Sequence, residues 1–557
     1  MPKLPKPDEL SRQLRYDVAN LTSSFEEGLS VYQVLAQRPG WGIARVKRAR
    51  KQYLADRVLK ELARMQETQN TTVFDQKTPK LPPKVGEIEK PPLREIDLHI
   101  TPGQSNGIVA FHISPSGYDE ALVANLWAFC NAYCLLFLPL AKPADRDRFE
   151  KFPQFIQDHI VFDNIRLGED ILIISDAGKA LSVDDPITHL MTAHGGKHVV
   201  VAHPAIAMKS IPRLACDGAH FAWSTGSVTL ADPEKDRTQC QALFIQIASD
   251  GMPFFHQLRA AADGSFQYQN YYVADAGDTI WEDCRVKVAH WPDGHFDVMA
   301  PGVKNGLFGD GGLLDRLKPE VQVFEDILNF TDRSKFTRTS TELARQHHLN
   351  RGSVRKEIEA TAAFLNSCRR DWTNIYKIED NHGARLIEWL EGDQRRDPLP
   401  DNVKFWARML VAKHQMLEDD PEDFRLAYLE HEAMLQCGLA GDIRYVWRGQ
   451  SLKVEGVEHG VHFHKGINGS PGNSAQYRNL GYPIVGGHPH TPSIMSGVTT
   501  VGTAGDLNEK WDPDATTKAH ALAIQYHNGH VVLMTQHPDG RVDAGPLVRV
   551  DQMAEAA

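Results

Sequence analysis

Cysteine is scarce in this chain, with seven among 557 residues. Scattered from Cys130 to Cys437, they supply neither a disulfide framework nor a zinc-ribbon spacing. Cys130 and Cys134, four apart, read as buried small hydrophobes. Long apolar runs are also missing. The stretch around Cys134 to Leu140 is interrupted and far shorter than the roughly 20 residues a membrane helix needs. The opening Met1-Pro2-Lys3-Leu4-Pro5-Lys6 lacks the apolar core of a signal peptide, so a cytoplasmic protein with no membrane span is expected. Positive charge is in overall deficit, with a net charge of −11. What is present is ordinary for a globular chain: 42% hydrophobic and 24% charged residues. The length suggests several domains and easily allows a buried core.

The charge is unevenly placed. Residues 1–75 hold 13 Lys/Arg against 9 Asp/Glu. Ile43, Val46, Leu54, Val58, Leu62 and Met65 fall near helical spacing, so Arg45, Lys47, Arg48, Arg50 and Lys51 can share the opposite face. With the break Arg38-Pro39-Gly40-Trp41-Gly42 before it, this pattern predicts a basic, helix-turn-helix-like segment whose cations touch DNA phosphates. A solvated helical hairpin used for homo-oligomer contact fits the same residues. Residues 76–95 carry prolines at 79, 82, 83, 91 and 92 and read as a linker.

Residues 96–280 read as an α/β or α+β accessory domain. Strands are expected at Gly107–Phe111, Asp170–Ile174, His198–Ala202 and Ala242–Ile247, and a helix at Tyr118–Phe129. His194, His198, His203 and His220 match no standard metal spacing and are expected to be structural or on the surface. Ser224-Thr225-Gly226-Ser227 lacks the lysine of a P-loop and reads as a turn.

The C-terminal half, residues 281–557, concentrates polar residues at the ends of short β-rich runs. Asp293-Gly294-His295 follows Arg285–Ala289, Asp326 follows Val321–Phe324, Asn381-His382 follows Asn374–Ile378, and Gly487-His488-Pro489-His490 follows Tyr482–Val485. His462 stands between the last two. Helices are expected between them, including Gly312–Leu317 and Val354–Leu365, which makes this half α/β with loop-end chemistry. Carboxylates, imidazoles and one amide oxygen in this order are the donor set of a dinuclear metal centre. His347-His348 and His464 with Asn468 are weaker candidates. Adjacent helical residues diverge by about 100°, so both His347 and His348 are not expected to reach one ion.

On Asp293–Asp297, Leu317-Lys318-Pro319-Glu320, Asn381-His382 running into Arg385–Leu390, His462–Ser470 and Gly487–Pro492, the chain resembles the calcineurin-like metallophosphoesterases. Within them it is most similar to the bacteriophage phosphoesterases of DNA transfer and host-DNA breakdown. The resemblance implies a metallophosphoesterase β-sandwich flanked by helices, and two ions sharing Asp326. One would take Asp293, His295, Asp326 and His490; the other Asp326, Asn381, His462 and His488. His382 would be the non-ligand catalytic histidine that stabilises phosphoryl charge or protonates the leaving oxygen. The function implied is a DNA phosphodiesterase in the host cytoplasm, acting by attack of a bridging hydroxide on phosphorus. Manganese is the expected metal, with iron, zinc, nickel or magnesium as alternatives, and DNA and a phage or host protein are the expected partners. A phosphatase for protein or small monoesters, or a non-catalytic DNA- or virion-binding protein, are the other readings. The chain departs from the pattern at Pro292 and Glu325, where glycine is usual, at Gly383, where an acid is common, and at Phe463, where a small residue is common.

Overall fold

A computed structural model describes residues 95–98, 107–176, 178, 185–214, 218–229, 240–335, 339–507 and 515–550. The expected helix-turn-helix-like segment, its five basic residues and nearly all of the linker lie outside these residues. The fold is mixed α/β, with several sheets.

The sheet that organises the C-terminal half has six strands: β1 (Val288–His290), β2 (Val321–Phe324), β3 (Asn374–Ile378), β4 (Arg444–Val446), β5 (His520–Gln525) and β6 (Val531–Gln536). Their order is β4-β3-β2-β1-β5-β6. The first four are parallel and the last two antiparallel to their neighbours. Parallel strands need crossovers, and helices supply them. These are α1 (Pro301–Phe308) and α2 (Leu313–Leu317), then α3 (Ser340–His348) and α4 (Val354–Ser367), then α5 (Asn381–Glu391), α6 (Pro400–Asp419) and α7 (Tyr428–Gln436).

Period-two alternation places β5 and β6 between two cores. Leu522, Ile524, Val532 and Met534 face a helical core containing Leu307, Leu365, Trp389 and Phe405. Ala521, Ala523, Val531 and Leu533 face the opposite way, into a core shared with Val485, Trp223, Ile245 and Phe255. Asn528-Gly529 turns the hairpin, with Gly529 at φ +81°. Helix α4 starts at Ser353, whose side chain accepts from Lys356 N, and presents Ile358, Ala362 and Leu365 at helical spacing to the core.

An eleven-stranded sheet lies beyond that second core. It draws strands from both sides of residue 280: Glu95–Leu98, Asn164–Leu167, Ile171–Ile174, His198–Val201, His220–Ser224 and Met208–Ile211, then Ser493–Met495, Val498–Thr500, Ile484–Gly486, Val457–Glu458 and Lys453–Val454. The accessory region and the C-terminal half therefore share backbone hydrogen bonds, directly between Met208–Ile211 and Ser493–Met495. Gly107–His112 and Leu135–Leu140 pair in parallel within a separate four-stranded sheet, linked by the helix Glu120–Ala132. No helix among the described residues is long and apolar enough to cross a membrane.

Candidate metal centre

Three neighbouring parallel strands bring the first ligands together. Asp293 follows β1, Asp326 follows β2, and Asn381 opens α5 after β3, so all three lie beyond the carboxyl ends of adjacent strands. The first two loops are joined by backbone hydrogen bonds: Gly294 N to Glu325 O at 3.1 Å, His295 N to Asp326 O at 2.8 Å and Phe296 N to Ile327 O at 3.1 Å. His488 and His490 arrive from the eleven-stranded sheet, on the loop after Ile484–Gly486, and His462 follows Val457–Glu458.

All seven expected ligands converge. Asp293, His295, Asp326 and His490 offer donor atoms within 4.8 Å of one another, and Asp326, His462 and His488 do the same. Asp326 belongs to both groups. Asn381 Oδ1 completes the second, 2.8 Å from His462 Nε2 and 3.0 Å from His488 Nδ1. In the first, His295 Nε2 and His490 Nε2 are 2.8 Å apart, and His490 Nε2 lies 3.4 Å from Asp293 Oδ2. Four of the seven residues, His295, Asp326, His488 and His490, have φ of 41°, 45°, 86° and 57°. Such left-handed non-glycine residues cost about 1–3 kcal/mol each, and their concentration at one point is the mark of a functional site.

The donor set fits cations. Asp293 Oδ1 and both oxygens of Asp326 are buried with no hydrogen-bond partner. Asp326 Oδ2 does lie 3.1 Å from His462 Nε2, an ion-pair contact outside hydrogen-bond geometry. Burial, reinforced by Glu325, pushes the Asp293 carboxyl well above the usual range. Burial would do the same to Asp326, but His462 and His382 outweigh it and hold that carboxyl well below its usual value. Burial depresses His295, His488 and His490, the last to about 3, so these rings are neutral, as metal ligands must be. His462 is pushed well above its usual value by Asp326 and Glu325, although burial opposes this. A proton there balances charge that a cation would otherwise balance.

His382 lies beside the ligands. Its Nδ1 is 2.7 Å from the carbonyl oxygen of Asn329, closer than Arg385 Nη1 at 3.1 Å; donation to the carbonyl leaves Nε2 facing Asp326 Oδ2, 4.0 Å away. It opens on a cavity of about 180 Å³ whose walls include His295, Asp326, Asn381, Arg385 and Lys518.

Residues beyond the expected set hold the centre in place. Asp380 caps α5 by accepting from Gly383 N at 2.7 Å and takes the backbone N–H of Asp326 at 2.9 Å. Its position before an apolar-periodic segment is an N-cap signal legible in the sequence. Buried Lys377 reaches Asp380 at 2.8 Å and also pairs with Glu430. Replacing Lys377 with Met leaves two buried carboxylates unpaired. The expected loss is about 3–5 kcal/mol, measured by urea unfolding at neutral pH.

Gly383 and Phe463, two of the residues that depart from the resembled pattern, each sit in a crowded place. A Cβ on Gly383 would lie 2.1 Å from Glu430 Oε2, so the acid absent from position 383 is replaced in space by one from α7. Glu430 is engaged by Lys377, however, and His382 is held by Asn329. Phe463 is fully buried against Ile484 and Val498. Gly487 sits against the two carboxylates. Its missing side chain makes room for Asp293 Oδ1 and Glu325 Oε1, which a Cβ would approach to 2.0 and 2.6 Å.

The weaker candidates resolve into structure. His464 Nδ1 donates to the His462 carbonyl at 3.0 Å, and Asn468 is exposed. His348 joins no metal-type cluster among the described residues, and Arg351 is paired with Asp297 and Asp332. The rings of His198 and His220 lie tilted against each other with centroids 4.3 Å apart, and neither they nor His194 and His203 form a metal-type cluster among the described residues. The hydroxyls of Ser224, Thr225 and Ser227 are spent on backbone carbonyls. Cys130 is buried, with its thiol pushed up by desolvation.

No family model matches the chain, and no solved structure matches it. The chain is similar to Protein A1 of Escherichia phage T5, with 28% identity over 410 residues, covering 70% of this chain and 72% of that protein.

Proposed function

We propose that this protein is a dinuclear-metal-dependent phosphodiesterase acting on DNA. The observation that carries the reading is the convergence of seven candidate ligand side chains into two groups that share buried Asp326, whose carboxylate oxygens have no hydrogen-bond partner. Imidazole nitrogens mixed with carboxylate and amide oxygens suit manganese, iron, zinc or nickel better than calcium. Bound ions of this kind supply acidified water at neutral pH and neutralise phosphate charge.

The chain's own residues would do the rest. The cavity of about 180 Å³ gives room for a single phosphodiester group, not for a duplex. Arg385 and Lys518 on its wall favour an anion, and His382 lines the same space. With Nδ1 committed to the Asn329 carbonyl, His382 has only Nε2 from which to give a proton to a departing ester oxygen. DNA as the substrate rests on the resemblance to the phage phosphoesterases and on the basic residues 45–51. Similarity to a phage protein agrees with that setting.

The direct test is hydrolysis by the full chain with Mn²⁺, on linear and circular double-stranded DNA and on the bis- and mono-esters of p-nitrophenyl phosphate. Cleavage of DNA and preference for the diester is the expected result. Preference for the monoester would replace this reading with a phosphatase. Metal-free protein that binds DNA without cleaving it, and takes up no ion, would make the protein a binder.

A further inference from the structure

Glu325 stands immediately before the shared aspartate, yet neither of its oxygens turns toward it. Oε2 accepts from His462 Nδ1 at 2.8 Å, and Oε1 is 2.9 Å from His290 Nε2. His290 Nδ1 lies 3.2 Å from His459 Nδ1, and His459 Nε2 lies 2.8 Å from Gln525 Oε1. Gln525 Nε2 in turn donates to the Val454 carbonyl at 2.8 Å. His290, Glu325, His459 and Gln525 are 0–1% exposed. They come from β1, the loop after β2, the segment before His462, and β5.

The direction of this chain follows from its far end. Gln525 donates to a carbonyl, so its oxygen must be the atom facing His459, and His459 Nε2 must donate to it. Burial depresses His459 to about 3, so its Nδ1 is a lone pair and accepts from His290 Nδ1, while the Glu325 carboxylate accepts from His290 Nε2; both ring nitrogens of His290 donate. The Glu325 carboxylate then closes the chain by accepting from His462. That bond holds the His462 ring with Nε2 aimed at Asn381 Oδ1 and Asp326 Oδ2, the donors of the second group.

We propose that Glu325, backed by His290, His459 and Gln525, is a positioning relay that fixes the tautomer and rotation of His462 for the second metal site. The inference rests on the metal-centre reading above. A buried carboxylate with three polar side chains is a poor way to fill a core, since well-packed apolar residues of similar volume are commonly as stable or more so. Partners that orient a ligand imidazole are a recognised means of tuning metal affinity. Gly487 supports the same purpose, because a Cβ there would meet Glu325 Oε1. Glu325 also stands with Asp293 and His462 in a group of metal-type donors, but its oxygens there are engaged by His462 Nδ1 and His290 Nε2, which argues against its being a ligand itself.

The experiment is Mn²⁺ titration of the chelator-stripped full chain by calorimetry and electron paramagnetic resonance, with thermal unfolding of each metal-free protein alongside. Wild type, Glu325→Gln and Glu325→Ala are compared. Gln keeps the volume but has one acceptor oxygen, so it cannot serve both His462 and His290, and it breaks the relay where Ala fails to fold. Two ions on wild type are expected, with one site weakened about 10–100-fold in Glu325→Gln and the other unchanged within threefold. The spin-coupled two-ion signal should then appear only at higher Mn²⁺, while the metal-free Tm stays put. Wild-type affinity at both sites in Glu325→Gln would overturn the relay and leave the metal centre standing. Loss of a third equivalent of Mn²⁺ would also overturn it, by making Glu325 a ligand. No Mn²⁺ on wild type would overturn the metal centre and the relay together.

Discussion

Asp326→Asn is expected to lower DNA hydrolysis at least about 10³-fold, the scale set by losing one strong electrostatic contact to a transition state. Bound manganese should fall from two equivalents to one or none. The reason is geometric: Asp326 is common to the group with Asp293, His295 and His490 and to the group with His462 and His488. The backbone is expected to survive, because the Asp326 N–H remains held by Asp380. Metal analysis, circular dichroism and a DNA-cleavage time course check the three parts separately. Retention of both ions by the variant would rule out the shared-ligand arrangement.

A pH dependence accompanies this. The Asp293 carboxyl is raised by burial and by Glu325, so its contribution to the metal-free fold is fully present below the unfolded value, near 3.9, and is lost as pH climbs through the raised one. Cations need the ionised carboxylate and a deprotonated Nε2 on His462, whose value is also raised. The gain in Tm on adding saturating Mn²⁺ should therefore grow as pH rises from 5 to 8. A gain that is flat or falls with pH would contradict this account of the charge balance.

The second large effect concerns His382. Replacing it with Ala should reduce kcat on DNA by about 10²–10⁴-fold, the usual worth of a positioned general acid. The same change should cost far less on bis-p-nitrophenyl phosphate, whose leaving group needs no proton. Metal content should not change, since His382 Nδ1 is committed to Asn329 and Nε2 stands 4.0 Å from Asp326. Equal losses on both substrates would assign His382 to phosphoryl-charge stabilisation instead. Loss of metal would assign it to the ligand set.

Much of the centre is legible in the sequence because the candidate ligands other than His462 follow short β-rich runs. Val321–Phe324 and Asn374–Ile378 are strands with the bounds read from β-rich patterning, and Val354 begins a helix as expected. Asp326 and Asn381 lie two and three residues beyond those strands, so their placement at the sheet's carboxyl edge follows from local pattern alone. Asp380 carries an equally local signal, an N-cap aspartate before an apolar-periodic helix. Glu325 was visible only as a departure, since nothing local indicates that His462, 137 residues away, will donate to it.

The same division runs through the whole chain. Residue type and two-residue or helical periodicity determined the donor set, the strand ends that carry it and the α/β class, because these depend on neighbours in sequence. Only the tertiary structure decided that residues on both sides of 280 share an eleven-stranded sheet and that Glu430 fills the space beside Gly383. It alone decided that a buried line of side chains from Gln525 to Glu325 ends on His462. Those are pairings across long loops, set by how buried polar groups must be satisfied once the cores have closed, and no local pattern encodes them.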